Sequence, residues 1–168
     1  MGLFKVSLDL STGGRYESSF EIGDTIKEVY QALVLGLSDY VRKNRFSKVV
    51  IGLSGGIDSA LVATIAKDAL GPKSVVGVSM PGRFSSRHSV KDAQDLARRL
   101  GIEFRIRPIR SQYGNFIKAA VTEKKKRGVK AVERTSITLA MENLQARLRA
   151  LELMYLSNDE GALLLTTG

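Results

Sequence analysis

The chain has 168 residues, a formal net charge of +9 and hydrophobic side chains at 43% of its positions, which is typical of one soluble globular domain. It has no cysteine, which excludes disulfides, thiolate metal sites and a cysteine nucleophile. Its apolar runs are too short to span a membrane and its start does not resemble a signal peptide, so we expect a cytoplasmic protein without a membrane partner.

Helices and strands are predicted to alternate along most of the chain. Residues 1–23 show no sustained hydrophobic period, so we expect an extended arm or linker before a domain over 24–168. The periodic and β-branched segments predict helices over 25–44, 60–70, 89–100 and 136–158, and strands over 48–53, 74–80, 102–109 and 162–166. Residues 111–134 are ambiguous between helix and loop.

This alternation predicts an α/β fold with a doubly wound parallel sheet, covered by helices on both faces. In one common arrangement, counted over the four predicted strands, the spatial order is 3-2-1-4. The winding then reverses between the first and the fourth strand. Ligands bind at the carboxyl ends of the strands at such a point, so we expect the site there.

The glycine-rich turn "GLSGGIDSA" at residues 52–60 joins the first predicted strand to the next helix. Glycines let the backbone approach an anion, and the helix start offers free N–H groups, so the turn is predicted to cradle phosphates. Ser54 and Ser59 can add hydroxyl donors. The turn is neither a Walker A loop nor a GxGxxG fingerprint. Asp58 faces the predicted phosphates and therefore implies Mg²⁺; the alternative is that Asp58 and Ser59 only cap the helix.

Part of the positive charge is concentrated in Lys124–Arg127 and Lys130. Such a run is usually a solvated surface, and the alternative is a patch that binds phosphate or nucleic acid. No aromatic residue is interleaved in it, which disfavours stacking on single-stranded nucleic acid. We expect no nucleic-acid partner, and the role of residues 124–130 stays open.

The string "GLSGGIDSA" resembles the pyrophosphate-binding loop of the N-type ATP pyrophosphatases, whose fold is that of the adenine nucleotide alpha hydrolases. Three further segments, at residues 78–102, 142–158 and 162–168, resemble the NAD synthetases within that superfamily. The helix before the loop, "TIKEVYQALVLGLSDYVRKN", resembles the glutamine-dependent branch. We therefore expect the synthetase domain of a glutamine-dependent NAD synthetase.

The resemblance implies roles for individual residues. Asp58 matches a Mg²⁺ ligand and, with Ser54, is expected to serve catalysis. Asn143 and Arg147 match the helix that binds deamido-NAD; without the resemblance both would be surface residues. The residues expected to bind ATP are Gly52, Leu53, Ser54, Gly55, Gly56, Ile57, Asp58, Ser59, Met80 and Thr167.

The implied reaction is the ATP-dependent amidation of deamido-NAD to NAD through an adenylated intermediate, with release of AMP and pyrophosphate. Ammonia would come directly or from a glutaminase domain, and a homodimer is expected. Two other interpretations stay open: another adenylating ATP pyrophosphatase, such as a tRNA-modifying enzyme, and a non-catalytic ATP-binding module. Titration with deamido-NAD against tRNA and ATP–pyrophosphate exchange would separate them.

The chain departs from the family pattern after "TTG" at residues 166–168. In NAD synthetases a glutamate that is the second protein ligand of the Mg²⁺ ion follows this motif, and later residues close the site. We therefore expect a domain truncated at its C-terminus that is inactive as an isolated fragment.

Overall fold

The computed structural model describes residues 6–8, 16–18, 25–127 and 138–167. The strands are β1 (Val6–Leu8), β2 (Tyr16–Ser18), β3 (Val49–Gly52), β4 (Val75–Ser79), β5 (Glu103–Ile106) and β6 (Leu163–Leu165). The helices are α1 (Thr25–Lys43), α2 (Ile57–Leu70), α3 (Arg87–Leu100), α4 (Arg110–Lys126) and α5 (Leu139–Asp159). None of the helices in these ranges is long and apolar enough to cross a membrane.

Strands β3 to β6 form one parallel sheet in the order β5-β4-β3-β6. This confirms the predicted order, in which the first and fourth strands of the sheet are neighbours. In the register, Val50 lies beside Val76 on one side and Leu164 on the other. The winding reverses between β3 and β6, which places the predicted binding position at their carboxyl ends.

The core lies on both faces of this sheet, because successive side chains of a strand point to opposite faces. Val49, Ile51 and Val75 pack against buried alanines of α2 and α3 on one face. Val50, Val76 and Val78 pack against Leu153 and Leu156 of α5 on the other. Helices on both faces confirm the doubly wound fold. In this arrangement α2 and α3 begin near the carboxyl ends of the strands.

Gly77 in the middle of β4 leaves space that a neighbouring side chain fills. A Cβ atom there would lie 2.5 Å from Cδ1 of Leu53, which is itself buried. We expect Gly77→Ala to lower the free energy of unfolding by about 1–3 kcal/mol through overpacking. The matched control is Gly36→Ala in α1, where a Cβ atom would have nothing within 4 Å. This substitution should raise the free energy of unfolding by about 0.5–1 kcal/mol. Urea unfolding measures both; equal effects would contradict the packing argument.

Several boundaries differ from the prediction. Helix α2 begins at Ile57, three residues before the predicted start, because Gly56 takes the N-cap position. The cap of α3 is Ser86, whose side chain accepts a hydrogen bond from the Ser89 N–H, so Ser89 lies inside the helix that it was predicted to open. Most of the ambiguous segment is helix α4, whereas residues 128–134 lie outside the described ranges. Within the arm, β1 and β2 pair antiparallel, a contact that the sequence did not predict.

Candidate active site

A cleft of about 610 Å³ lies at the carboxyl ends of three neighbouring strands. Gly52 ends β3, and Leu53 and Ser54 follow it. Met80 follows β4, Thr166 and Thr167 follow β6, and all of these residues line the cleft. One face of α5 closes the opposite side. The cleft therefore occupies the predicted switch point. Five of the ten residues predicted to bind ATP line it, and the other five, Gly55 to Ser59, continue the turn from Ser54 into α2.

The glycine-rich turn presents unpaired N–H groups at the start of α2. The first backbone N–H that donates within the helix is that of Ala60, to the Gly56 carbonyl oxygen at 3.2 Å, and no side chain caps the helix. The N–H groups of Ile57, Asp58 and Ser59 are thus left for a ligand, as at any uncapped helix start. Together with the positive end of the helix dipole, they form a site that suits phosphate oxygens.

Two serine hydroxyls brace the turn from inside. The Ser59 hydroxyl, which is buried, donates to the Gly56 carbonyl oxygen at 3.0 Å and accepts from the Ser54 N–H at 3.3 Å. Because the single hydrogen of the Ser59 hydroxyl is used in its bond to Gly56, the Ser54 hydroxyl must donate the 3.1 Å bond between the two Oγ atoms. Ser54 Oγ also accepts from the Gly56 N–H at 3.1 Å. Both hydroxyl hydrogens therefore point into the turn, and the donors that it offers to a ligand are backbone groups.

Asp58 is the acidic residue of this turn. It lies exposed in the first turn of α2, and Gly56 rather than Asp58 occupies the cap position. Within the described residues, no cluster of three or more histidine, aspartate or glutamate side chains could hold a metal ion. Mg²⁺ in nucleotide sites usually takes one or two carboxylates plus phosphate oxygens, so a single exposed carboxylate at a phosphate cradle fits that ion.

The other residues expected to bind ATP differ in what they expose. The Leu53 side chain is buried against Gly77, so only its backbone can serve a ligand. Ile57 is exposed at the first position of α2. Met80 is buried at the cleft wall, and its carbonyl oxygen accepts a hydrogen bond from Arg149 Nε at 3.2 Å. Thr167 is exposed at the cleft, across from the turn.

The two residues expected to bind the second substrate lie outside this cleft. Asn143 and Arg147 share the exposed outer face of α5, where Arg147 Nη1 donates to the Asn143 carbonyl oxygen at 3.3 Å. The residues of α5 that line the cleft are Ala146, Arg149, Ala150 and Leu153. Asn143 and Arg147 therefore do not meet the turn of their own chain.

Arg149 is the cleft residue that the sequence interpretation missed. It is half-buried, and its Nη2 lies 3.5 Å from Ser85 Oγ in addition to the bond from Nε to Met80. Burial lowers the pKa of its guanidinium, which nevertheless stays charged. A partly desolvated arginine at the wall of this cleft suits an anionic group. The helical spacing from Ala146 to Leu153 could have pointed to it, because Arg149 falls on the same apolar face.

Comparisons with known proteins agree on one family. The family model described as NAD synthase matches residues 29–168. The glutamine-dependent NAD(+) synthetase of Thermotoga maritima is 51% identical over 142 residues, which are 84% of this chain and 23% of that protein. The chain spans about a quarter of the length of the curated relatives that it matches first, between 23% and 28%.

Solved structures give the same result. The glutamine-dependent NAD+ synthetase from Acinetobacter baumannii in complex with ADP matches with a TM-score of 0.79 and 39% identity, over 97% of this chain and 30% of that one. The NMN synthetase from Francisella tularensis matches with a TM-score of 0.72 and 27% identity, over 89% of this chain and 56% of that one.

Proposed function

The chain belongs to the NAD synthase family, and we propose that it forms the ATP-binding part of an enzyme that amidates deamido-NAD to NAD. The observation that carries this proposal is the uncapped, glycine-rich start of α2 at the rim of a cleft at the sheet's switch point. The ADP in the related Acinetobacter baumannii structure supports an adenine nucleotide as the ligand.

The proposed reaction has two steps. A carboxylate oxygen of deamido-NAD attacks the α-phosphorus of ATP, and the bond to the pyrophosphate oxygen breaks. Ammonia then attacks the adenylated carboxyl carbon, the bond to AMP breaks, and the nitrogen loses a proton to give the amide. Neither step needs a protein nucleophile, so catalysis depends on positioning and on stabilisation of charge.

The residues of the cleft divide this work. The N–H groups at the start of α2 hold the β- and γ-phosphates, and Ser59 keeps the turn in shape through its bond to Gly56. Asp58 would hold Mg²⁺, which when bound neutralises charge on the departing pyrophosphate. The Thr167 hydroxyl, just after β6, would contact the nucleotide. Arg149 would fix the Met80 backbone at the cleft wall through its hydrogen bond to the Met80 carbonyl oxygen.

We propose that Asn143 and Arg147 serve the cleft of a second copy of the chain. Their outer face of α5 also carries three exposed apolar side chains, Leu151, Met154 and Tyr155. These follow Arg147 at helical spacings of four, seven and eight residues, so they form one surface with it. A homodimer that buries this surface would bring Arg147 of one protomer towards the substrate of its partner.

The names of the curated relatives support glutamine as the ammonia source in the whole protein. The likeness to the NMN synthetase makes nicotinic acid mononucleotide a second candidate acceptor, although its 27% identity is lower than the 51% and 39% of the dinucleotide enzymes.

Calorimetric titration of the chain tests the proposal. We expect Mg²⁺–ATP and deamido-NAD to bind, deamido-NAD to bind more tightly than the mononucleotide, and bulk tRNA not to compete. Absence of ATP binding would overturn the proposal, and competition by tRNA would favour an RNA-modifying enzyme.

Two arginines of α5 provide a matched pair of variants. Arg149→Ala should weaken ATP binding by about tenfold, because a charged hydrogen bond contributes about 1.5–3 kcal/mol. The substitution also removes the hydrogen bond that fixes the Met80 backbone at the cleft wall. Arg147→Ala should leave ATP binding unchanged and weaken deamido-NAD binding. Calorimetry with each ligand separates the two. Equal losses of ATP affinity in both variants would contradict the assignment of Arg149 to the cleft.

A further inference from the structure

Helix α5 carries two side chains of opposite charge one turn apart. Arg149 lines the cleft, and Glu152 follows it by three residues, the spacing at which helical side chains meet. An arginine and a glutamate so placed attract each other and can form an ion pair. In the described part of the chain they do not pair, and each takes its partner from the strand ends beneath the helix.

Glu152 pairs with Arg107, the residue that follows β5. Arg107 Nη2 lies 2.5 Å from Glu152 Oε1, and the Glu152 side chain is only 16% exposed. The Arg107 N–H donates to the Ser79 carbonyl oxygen at 2.8 Å, which fixes the Arg107 backbone to the end of β4. A carboxylate that is largely removed from water needs such a cation, because an unpaired buried charge is costly.

Arg149 has no acidic partner among the described residues. Its Nε donates to the Met80 carbonyl oxygen at 3.2 Å, and its Nη2 lies 3.5 Å from Ser85 Oγ, so both partners are uncharged. Burial lowers the pKa of its guanidinium, and no carboxylate opposes that shift. The positive charge of Arg149 is therefore left for an anion in the cleft.

The cation beside Glu152 decides whether that charge stays in the cleft. Ser79 and Met80 are consecutive residues at the end of β4, so the two arginines meet α5 at one place on the sheet. Without Arg107, Glu152 would be a largely buried carboxylate whose neighbouring cation, one turn away, is Arg149. Arg149 would then turn to Glu152 and leave Met80 and the cleft.

We propose that Arg107 is a positioning residue of the nucleotide site: it neutralises Glu152, so that Arg149 keeps its charge for a phosphate group in the cleft. This inference rests on the proposed function, in which the cleft binds ATP. Arg107 itself lines no part of the cleft and touches neither the nucleotide nor the reacting atoms. It acts on the ligand only through the two charged side chains of α5.

Calorimetric titration of Mg²⁺–ATP tests the charge argument. Arg107→Gln should weaken ATP binding about fivefold, a smaller loss than that of Arg149→Ala. Arg107→Lys keeps the positive charge and should bind ATP like the parent chain. The double variant Arg107→Gln/Glu152→Gln should also bind like the parent chain, because the carboxylate that attracts Arg149 is gone. A merely structural link predicts no such rescue, so a loss in the double variant as large as in Arg107→Gln would overturn the proposal.

Arg105 provides the matched control. It lies two residues before Arg107 on the same face of β5, and its Nη2 donates to Glu160 Oε2 at 3.1 Å. Glu160 is the C-cap of α5, about 12 Å beyond Glu152 along the helix. Arg105→Gln should therefore lower the free energy of unfolding and leave ATP affinity unchanged. A loss of ATP affinity equal to that of Arg107→Gln would overturn the specific role of Arg107.

The Arg149 side chain gives a measurement that needs no ligand. In NMR spectra of the ligand-free chain, the Arg149 Nε–H signal should move in Arg107→Gln and return in the double variant. An unmoved signal in Arg107→Gln would overturn the proposal. If the parent chain binds no ATP, the proposed function is wrong, and this signal alone decides whether Arg107 controls Arg149.

A second variant covers the case in which Arg107→Gln does not fold. Glu152→Gln removes the competing carboxylate and keeps both arginines. It should bind ATP at least as tightly as the parent chain, since Arg149 then has no acid one turn away. Weaker ATP binding in Glu152→Gln would show that the ion pair acts as a structural link, and would overturn the proposal.

Discussion

Replacing Gly55 with alanine should lower the affinity for ATP by at least about a hundredfold, or about 2.8 kcal/mol. Gly55 has a φ of 83°, in the left-handed region that L-residues other than glycine enter at a cost of about 1–2 kcal/mol. A Cβ atom there would also lie 2.6 Å from the Ser89 carbonyl oxygen and 2.9 Å from its Cα. Because both are backbone atoms of α3, the turn rather than a side chain must move, and the cradle of N–H groups moves with it.

The chain contains a matched control for this variant. Gly71 has nearly the same φ, 82°, but a Cβ atom there would have nothing within 4 Å. Gly71→Ala should therefore lower the free energy of unfolding by about 1–2 kcal/mol and leave ATP binding intact. Calorimetry and urea unfolding of both variants give the comparison. Unchanged ATP affinity in Gly55→Ala would show that packing of the turn against α3 does not shape the phosphate site.

Replacing Asp58 with alanine should abolish the increase in ATP affinity that Mg²⁺ brings, a loss of about tenfold to a hundredfold. The carboxylate is exposed at the start of α2, beside the N–H groups that would hold the phosphates. A negative charge there repels phosphate unless a cation lies between them. The same substitution should cost at most about 1 kcal/mol of stability, since Gly56 and not Asp58 takes the cap position and only the interaction with the helix dipole is lost.

The measurement is ATP binding with and without Mg²⁺, for the parent chain, for Asp58→Ala and for Asp92→Ala. Asp92 is exposed on a different helix, α3, and its removal should change neither titration. If Asp58→Ala binds ATP more tightly without Mg²⁺ than the parent chain does, the repulsion argument is supported directly. A full Mg²⁺ effect in Asp58→Ala would remove Asp58 from the metal site.

The sequence by itself determined the alternation of most helices and strands, the doubly wound class and the glycine-rich strand–helix turn. These features depend on local patterns: β-branched runs, helical spacing and glycines at a strand–helix junction. The family followed from the resemblance of its motifs. The run "VVIGL" at residues 49–53 requires a strand that is buried on both faces, and in the structure its side chains alternate between the two halves of the core. The boundaries were less well determined, because Gly56 and Ser86 compete with nearby residues for the cap positions.

Only the tertiary structure decided which residues reach the cleft. Arg147 and Arg149 lie two positions apart, so they point about 200° apart around α5. The sequence alone does not say which of the two arginines faces the cleft. The packing of Leu153 and Leu156 on the sheet sets the rotation of the helix, which turns Arg149 into the cleft and Arg147 outwards. Such contacts depend on where distant segments meet, and a local pattern carries no information about that.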